Sequence, residues 1–240
     1  MLSARRALQS ILRHLGYELI RYSPADRGIN AYHDMTHYIK IQNPVVLDVG
    51  ANLGESIESL LGSYPSAQVF SFEPSEESFK VLTKKYQYHR SIKLYFEALG
   101  SGNYTKYFND NELPFMSSFL ELGTFGYGNI KAKRLLKIRS VDNFADSELL
   151  SCIDILKIDV QGFEFEILKG CSNLLNEQKI KVILVELTFT DMYHGMPNLE
   201  ELFKYLFQYN FILGGIYRQH FQKGWLSWAD ALFVHQSLVH

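Results

Sequence analysis

From Pro44 onward the chain repeats one pattern: a short apolar run rich in β-branched residues, a turn, then a stretch of helical periodicity. The runs are VVLDV (45–49), QVFSF (68–72), IKLYFEA (92–98), DILKID (154–159) and KVILVEL (181–187). Apolar spacing predicts helices over 54–63, 76–88, 163–175 and 199–209. Near-continuous apolar strands alternating with helices specify a parallel sheet covered on both faces, with right-handed crossovers. NFILGGIY and WADALFVH follow without a convincing helix between them, so they are expected to pair antiparallel. The SGN turn at 101–103 predicts a hairpin into YTKYF, and the loop-rich stretch 109–130 reads as an insertion. The expected class is α/β, with one domain over 44–240 and a helical extension over 1–43.

Composition narrows the function. Lys plus Arg is 24 and Asp plus Glu is 26 in 240 residues, a net charge of −2. That balance argues against a protein that grips nucleic acid through its overall charge. Cys152 and Cys171 are too few for a disulfide scaffold and point to a reducing, cytoplasmic setting. No apolar run is long enough to span a membrane. Leu8, Ile11, Leu12 and Leu15 form a helical stripe beside Arg5, Arg6 and Arg13. Arg13 and His14 interrupt what would have to be an uninterrupted apolar core in a secretory leader. The favoured reading is a helix closing one side of the domain and ended by Gly16; peripheral contact with a membrane surface is the alternative. His33 and His37 stand four apart on an expected helix over 30–40, but no third zinc ligand follows, and a packed helix is the better reading.

The chemistry gathers at the strand ends. DVGANLG (48–54) closes the first strand, where ligands of open α/β sheets bind. Gly50 permits the tight turn and Gly54 lets the helix start close to the strand. A dinucleotide fingerprint would require glycine at 52 and 55, where Asn52 and Glu55 stand, so an oxidoreductase is disfavoured. Glu73 closes the second strand in FEP, the place of a ribose-binding carboxylate, and Pro74 fixes the backbone beyond it. Asp159 ends the fourth strand in KIDVQGFE, placed to orient or deprotonate an acceptor. Glu186 closes the fifth in VEL and faces the same rim. Neither the nucleophile elbow of serine hydrolases nor a P-loop is present.

Together, DVGANLG (48–54), FEP (72–74), SSFL (117–120), KIDVQGFEFEILKG (157–170) and VEL (185–187) make the sequence resemble the FkbM family of methyltransferases over roughly 44–235. The resemblance implies the seven-stranded class I methyltransferase sheet, with WADALFVH as its reversed last strand, and S-adenosyl-L-methionine as cofactor. It implies that Asp48, Gly50, Ala51, Asn52 and Gly54 surround the methionine part, that Glu73 beside Pro74 binds the ribose, and that Ala98 and Leu99 edge the adenine. It implies O-methylation of a sugar, glycan or glycosylated natural product. Asp159 is the expected catalytic base, with Glu186 and Lys157 shaping the acceptor side. A divalent metal on Asp159 and Glu186 is the alternative, disfavoured because the histidines form no matching cluster. Ser117, Ser118, Gln161 and Glu164 are acceptor-side candidates, Gln161 standing where many relatives carry glutamate. Tyr217 and Trp225 join them from an aromatic loop expected at 217–228. Base methylation is disfavoured because DVQG replaces the expected N/D-P-P-Y/F segment. The basic cluster Lys131, Lys133, Arg134, Lys137 and Arg139 reads as a solvated strand edge, or else as a site for an anionic acceptor such as a nucleotide sugar. A cofactor-binding scaffold without turnover is the remaining rival.

Overall fold

Residues alternate between two buried faces along every central strand, and this sets the architecture. In β1 (Val45–Val49), Leu47 and Val49 enter one core while Val46 enters the other. The computed structural model describes residues 2–17 and 27–239. Its main sheet also contains β2 (Gln68–Phe72), β3 (Ile92–Tyr95), β7 (Ile153–Ile158), β8 (Ile180–Thr188), β9 (Phe211–Gln222) and β10 (Trp225–His235). The strand order is β3-β2-β1-β7-β8-β10-β9. All pairings are parallel except those of β10, which runs antiparallel to both β8 and β9. This is the sheet that the resemblance implies, reversed last strand included.

A smaller sheet flanks it: β4 (Ala98–Gly100), β5 (Tyr104–Asn111) and β6 (Ile130–Ser140), in the order β4-β6-β5. Two expectations fail here. The run 92–98 is not one strand, because β3 leaves the main sheet after Tyr95 and Ala98–Gly100 pairs with β6 instead. Nor does the SGN turn make a hairpin, since β6 lies between β4 and β5. The basic cluster sits on β6, where Lys131 pairs with Glu77, Lys133 with Glu121, Arg134 with Asp110 and Arg139 with Glu97. Four of its five charges are thus already matched.

The helices are α1 (Leu2–His14), α2 (Ala31–Met35), α3 (Glu55–Ser63), α4 (Glu76–Tyr86), α5 (Val141–Ser147), α6 (Glu164–Lys169), α7 (Ser172–Asn176) and α8 (Leu199–Gln208). The expected helix 163–175 breaks in two at Gly170, where a Cβ would overlap the carbonyl oxygen of Gly100. Asp142 then accepts the backbone N–H groups of Asn173 (2.9 Å) and Leu174 (3.1 Å), capping α7 from outside its own sequence. On one face of the sheet Phe144 of α5 lies edge-on to Phe70, Phe72 and Tyr95, with centroids 5.7, 4.7 and 5.1 Å away.

α2 belongs to the core of the opposite face through Ala31, Tyr32 and Met35, so that core begins before Pro44. Asn30 caps α2, accepting from the N–H of Tyr32 at 2.9 Å. His37 falls beyond its end, with its ring 5.7 Å from that of His33. α1 ends at Gly16 as expected, with φ at 81° and the Tyr17 N–H returning to the Leu12 carbonyl. It does not close the domain: Leu8, Ile11 and Leu15 are 48%, 59% and 66% exposed. The side chain of Arg5 and residues 18–26 lie outside the described residues. Among the described residues no helix is long and apolar enough to cross a membrane.

Candidate active site

The turn after β1 is built by close approach. Gly50 has φ at 83°, and a Cβ there would overlap the carbonyl oxygen of Asp159 on the neighbouring strand end. Only glycine satisfies both demands. The N–H groups of Gly50 and Ala51 both donate to the Phe72 carbonyl, each at 3.0 Å. Asn52 takes the left-handed conformation at φ 45°, which asparagine tolerates better than most residues. Gly54 packs under Tyr86, whose hydroxyl donates to the Gly54 carbonyl at 3.1 Å.

Beneath this turn lies a buried charge network. Asp48 accepts from the hydroxyls of Ser56 and Ser71, both at 2.9 Å. Lys157 Nζ stands 3.3 Å from Asp48 and 3.7 Å from Asp159, and donates to the Gly50 carbonyl at 2.7 Å. Burial opposes the lysine charge, but Asp48 and Asp159 outweigh it and hold the ammonium protonated above the ordinary lysine range. Asp48 and Lys157 therefore brace the turn from below. Neither Asp48 nor Gly54 lines the cleft above, and Ala51 faces only a side recess shared with Lys157.

Glu73 joins the ends of β1 and β2. Its two oxygens accept the N–H groups of Asn52 (2.8 Å) and Ser75 (2.7 Å). Burial pushes its pKa up to about 7 despite these donors. It faces a cleft that Gly50, Asn52, Pro74, Ala98 and Leu99 also line. Phe108, Phe119 and Phe163 form its apolar wall, and Ser117 reaches its edge.

A second cavity adjoins it and shares Asn52, Phe115, Asp159 and Gln161. Gln161 occupies the junction with φ at 57°, followed by Gly162 at 92°. Its amide Nε2 donates to Asp159 at 2.8 Å and to Glu186 at 3.1 Å, while its Oε1 accepts from the Tyr193 hydroxyl at 2.9 Å. Ser118 donates to the Gln161 carbonyl at 2.6 Å and lines neither cavity. Glu164 also stays behind the site: it accepts the N–H groups of Val160 (3.0 Å) and Gly162 (3.1 Å) and so shapes the turn that carries Gln161. Burial raises its pKa to about 7. Burial raises the pKa of Glu186 well above the usual carboxylate range, and Asp159, Glu164 and Asp230 push the same way.

The long hairpin of β9 and β10 supplies what sequence reasoning missed. Arg218, His220, Trp228 and Asp230 line the second cavity with Tyr193. Asp230 pairs in register with Glu186, and burial followed by Asp159 lifts its pKa to about 6. The expected aromatic loop at 217–228 is instead strand on both sides of a turn at Lys223 and Gly224. Tyr217 turns away from the cavity and donates to buried Asp34 at 2.8 Å; Trp225 is 67% exposed near the hairpin tip. Among the described residues no group of three or more carboxylate, histidine or cysteine side chains has a metal-binding arrangement.

The arrangement sets two adjoining openings on either side of Asp159 and Gln161. A hexuronic acid methyltransferase, AglP of Haloferax volcanii, is 26% identical over 149 residues, 61% of this chain and 56% of that protein. The chain thus spans little more than half the length of that relative. The 2-O-methyltransferase NoeI of Sinorhizobium fredii is 22% identical over 186 residues, 73% of this chain and 76% of that protein. An rRNA methylase structure from Streptococcus thermophilus shares the fold at a TM-score of 0.51 and 10% identity, covering 90% of this chain and 99% of that one. The methyltransferase FkbM domain matches residues 48–213, more than half the chain, and takes in the carboxyl ends of β1, β2, β7 and β8. The protein belongs to the FkbM methyltransferase family.

Proposed function

We propose that the protein is an S-adenosylmethionine-dependent O-methyltransferase acting on a hydroxyl of a sugar, a glycan or a glycosylated metabolite. The observation that carries this reading is the junction of the two cavities at Asp159 and Gln161. The residues of the first cleft fit the cofactor. Glu73 is a buried carboxylate facing open space, and its two backbone donors use only about half of its roughly four acceptor sites. Two ribose hydroxyls suit the remainder. The phenylalanine wall beside Ala98 and Leu99 suits a purine, and Gly50 with Asn52 leaves the polar end open. When bound, the cofactor supplies an electrophilic methyl group.

An alcohol is a weak nucleophile, so a base must take its proton. Asp159 stands at the junction, where it accepts from the Gln161 amide at 2.8 Å and lies 3.7 Å from the Lys157 ammonium. Glu186, whose pKa is raised, stays protonated more readily and complements Asp159 as a hydrogen-bond donor. Orientation across the junction supplies the larger part of the acceleration. AglP is a hexuronic acid methyltransferase and NoeI a 2-O-methyltransferase, and likeness to both favours a sugar hydroxyl over nucleic acid. The matched charges of the 131–139 cluster favour it too, because they leave no continuous basic track. Two free cysteines suit a cytoplasmic setting. The test is transfer of labelled methyl from S-adenosylmethionine to a panel of acidic and neutral oligosaccharides, nucleotide sugars, tRNA and small phenols. Label confined to carbohydrate is expected; label confined to tRNA or phenols overturns the acceptor class.

A further inference from the structure

Arg218 is the unassigned group at this site. It lines the second cavity, yet among the described residues its guanidinium makes no salt bridge or side-chain hydrogen bond; its electrostatic influence falls on Asp230. The backbone is bent to put it there. Arg218 has φ at 47°, a left-handed conformation that an arginine adopts only under strain. The facing strand slips register on both sides of Trp228, between Leu226 and Trp228 and again between Trp228 and Asp230. Such irregularities re-aim side chains beside sites. Here they bring Arg218, His220, Trp228 and Asp230 to one cavity. All four lie outside residues 48–213, so this wall is not part of the matched family domain.

Charge decides what the wall suits. Among the described residues four carboxylates line the cavity, Glu55, Asp159, Glu186 and Asp230, and Arg218 is its one lysine or arginine. Carboxylates accept hydrogen bonds from hydroxyls, while a lone guanidinium offers a planar fork to a single carboxylate. A diphosphate would bring two or more charges toward a carboxylate-rich wall with one cation to meet them. Beside Arg218 the His220 and Trp228 rings stack, 4.8 Å apart and 15° from parallel, an apolar-faced surface with polar edges of the kind that sugars meet. Resting on the reading of this site as a sugar O-methyltransferase, we propose that its acceptor is an acidic sugar, with Arg218 gripping the sugar carboxylate and the opposite hydroxyl face turned toward Asp159. Arg218 is then a specificity residue for a uronic-type ring.

The test uses the full chain and three probes: methyl glucuronoside, methyl glucoside and glucose 6-phosphate. Binding of S-adenosylhomocysteine is measured first by calorimetry; its absence overturns the parent reading, while the sugar arms still report on Arg218. Tighter binding of the glucuronoside than the glucoside, by about ten-fold, is expected from one charge-assisted contact. Arg218→Gln should bring the two glycosides level, and Arg218→Lys should restore part of the difference. Arg218 is exposed, so neither variant disturbs the core. Equal binding of both glycosides, failure of the glucuronoside to bind at millimolar concentration, or an unchanged preference in Arg218→Gln overturns the proposal. Preference for glucose 6-phosphate over the glucuronoside overturns the carboxylate assignment.

Discussion

Single residues at the site divide into those that touch the cavities and those that hold the others in place. Glu73 does both, because the oxygens that face the cleft also accept the N–H groups of Asn52 and Ser75. Glu73→Gln replaces one acceptor by a donor and should weaken S-adenosylmethionine binding by about 1.5–3 kcal/mol, roughly ten- to hundred-fold. Isothermal calorimetry checks this, and unchanged affinity would remove Glu73 from the cofactor site. Asp159 is expected to behave differently. Asp159→Asn keeps the shape of the junction and its contact with Gln161 but removes the base. Turnover should drop by roughly 10²–10⁴ while the cofactor dissociation constant stays put. Full turnover in that variant would show that the proton leaves by another route. Lys157 lies too deep to meet an acceptor directly; it is 6% exposed and is spent on Asp48, Asp159 and the Gly50 carbonyl.

At the level of elements, the strands that sequence reads well are those whose partners are fixed by burial on both faces. β1, β2, β7 and β8 are continuous apolar runs, and their carboxyl ends carry Asp48, Glu73, Asp159 and Glu186 where alternation predicts them. What alternation cannot encode is the choice of partner. Residues 92–98 look like one strand because periodicity is blind to β3 ending in one sheet and β4 starting in another. β9 and β10 pair antiparallel as expected, but the stretch 217–228 at the tip of their hairpin fails for the opposite reason. Its aromatic, polar-tipped sequence resembles a loop, and only the ladder to β8 shows that Tyr217 points inward while Arg218 points to the cavity. Tyr193 was equally hidden, since it comes from a loop with no periodicity at all and is fixed by Gln161. The hairpin is also tied to the N-terminal side: Asp34 of α2 accepts from the Tyr217 hydroxyl and from the Gly28 N–H. Tyr217→Phe leaves that buried carboxylate one donor short. It should lower unfolding free energy by about 1.5–3 kcal/mol in urea. A loss within experimental error would mean that water replaces the hydroxyl.

The whole molecule carries its functional carboxylates at a cost in stability, and that cost has a pH signature. Burial lifts Glu73 and Glu164 to about 7 and Asp230 to about 6, while an unfolded glutamate titrates near 4.5. For a carboxyl whose folded pKa is raised, the folded state binds more protons between the two values. Its stabilising share is therefore full below the unfolded pKa and is lost as pH rises through the folded one. Glu73 and Glu164 each move stability in this sense by up to roughly 3 kcal/mol. His235 acts in reverse, since burial lowers its pKa and its share is lost as pH falls. The comparison must therefore be made between chains that both keep His235. The wild-type protein should lose stability relative to a Glu73→Gln, Glu164→Gln double variant as pH is raised from about 5 to 8. Urea unfolding of the two chains across that range measures the difference. The product S-adenosylhomocysteine should restrain the loss, because ribose hydroxyls donating to Glu73 favour its charged form and binding adds stability by mass action. Parallel curves for the two chains would show that Glu73 and Glu164 are already ionised in the folded protein at low pH, and that the strand-end carboxylates exact no such toll.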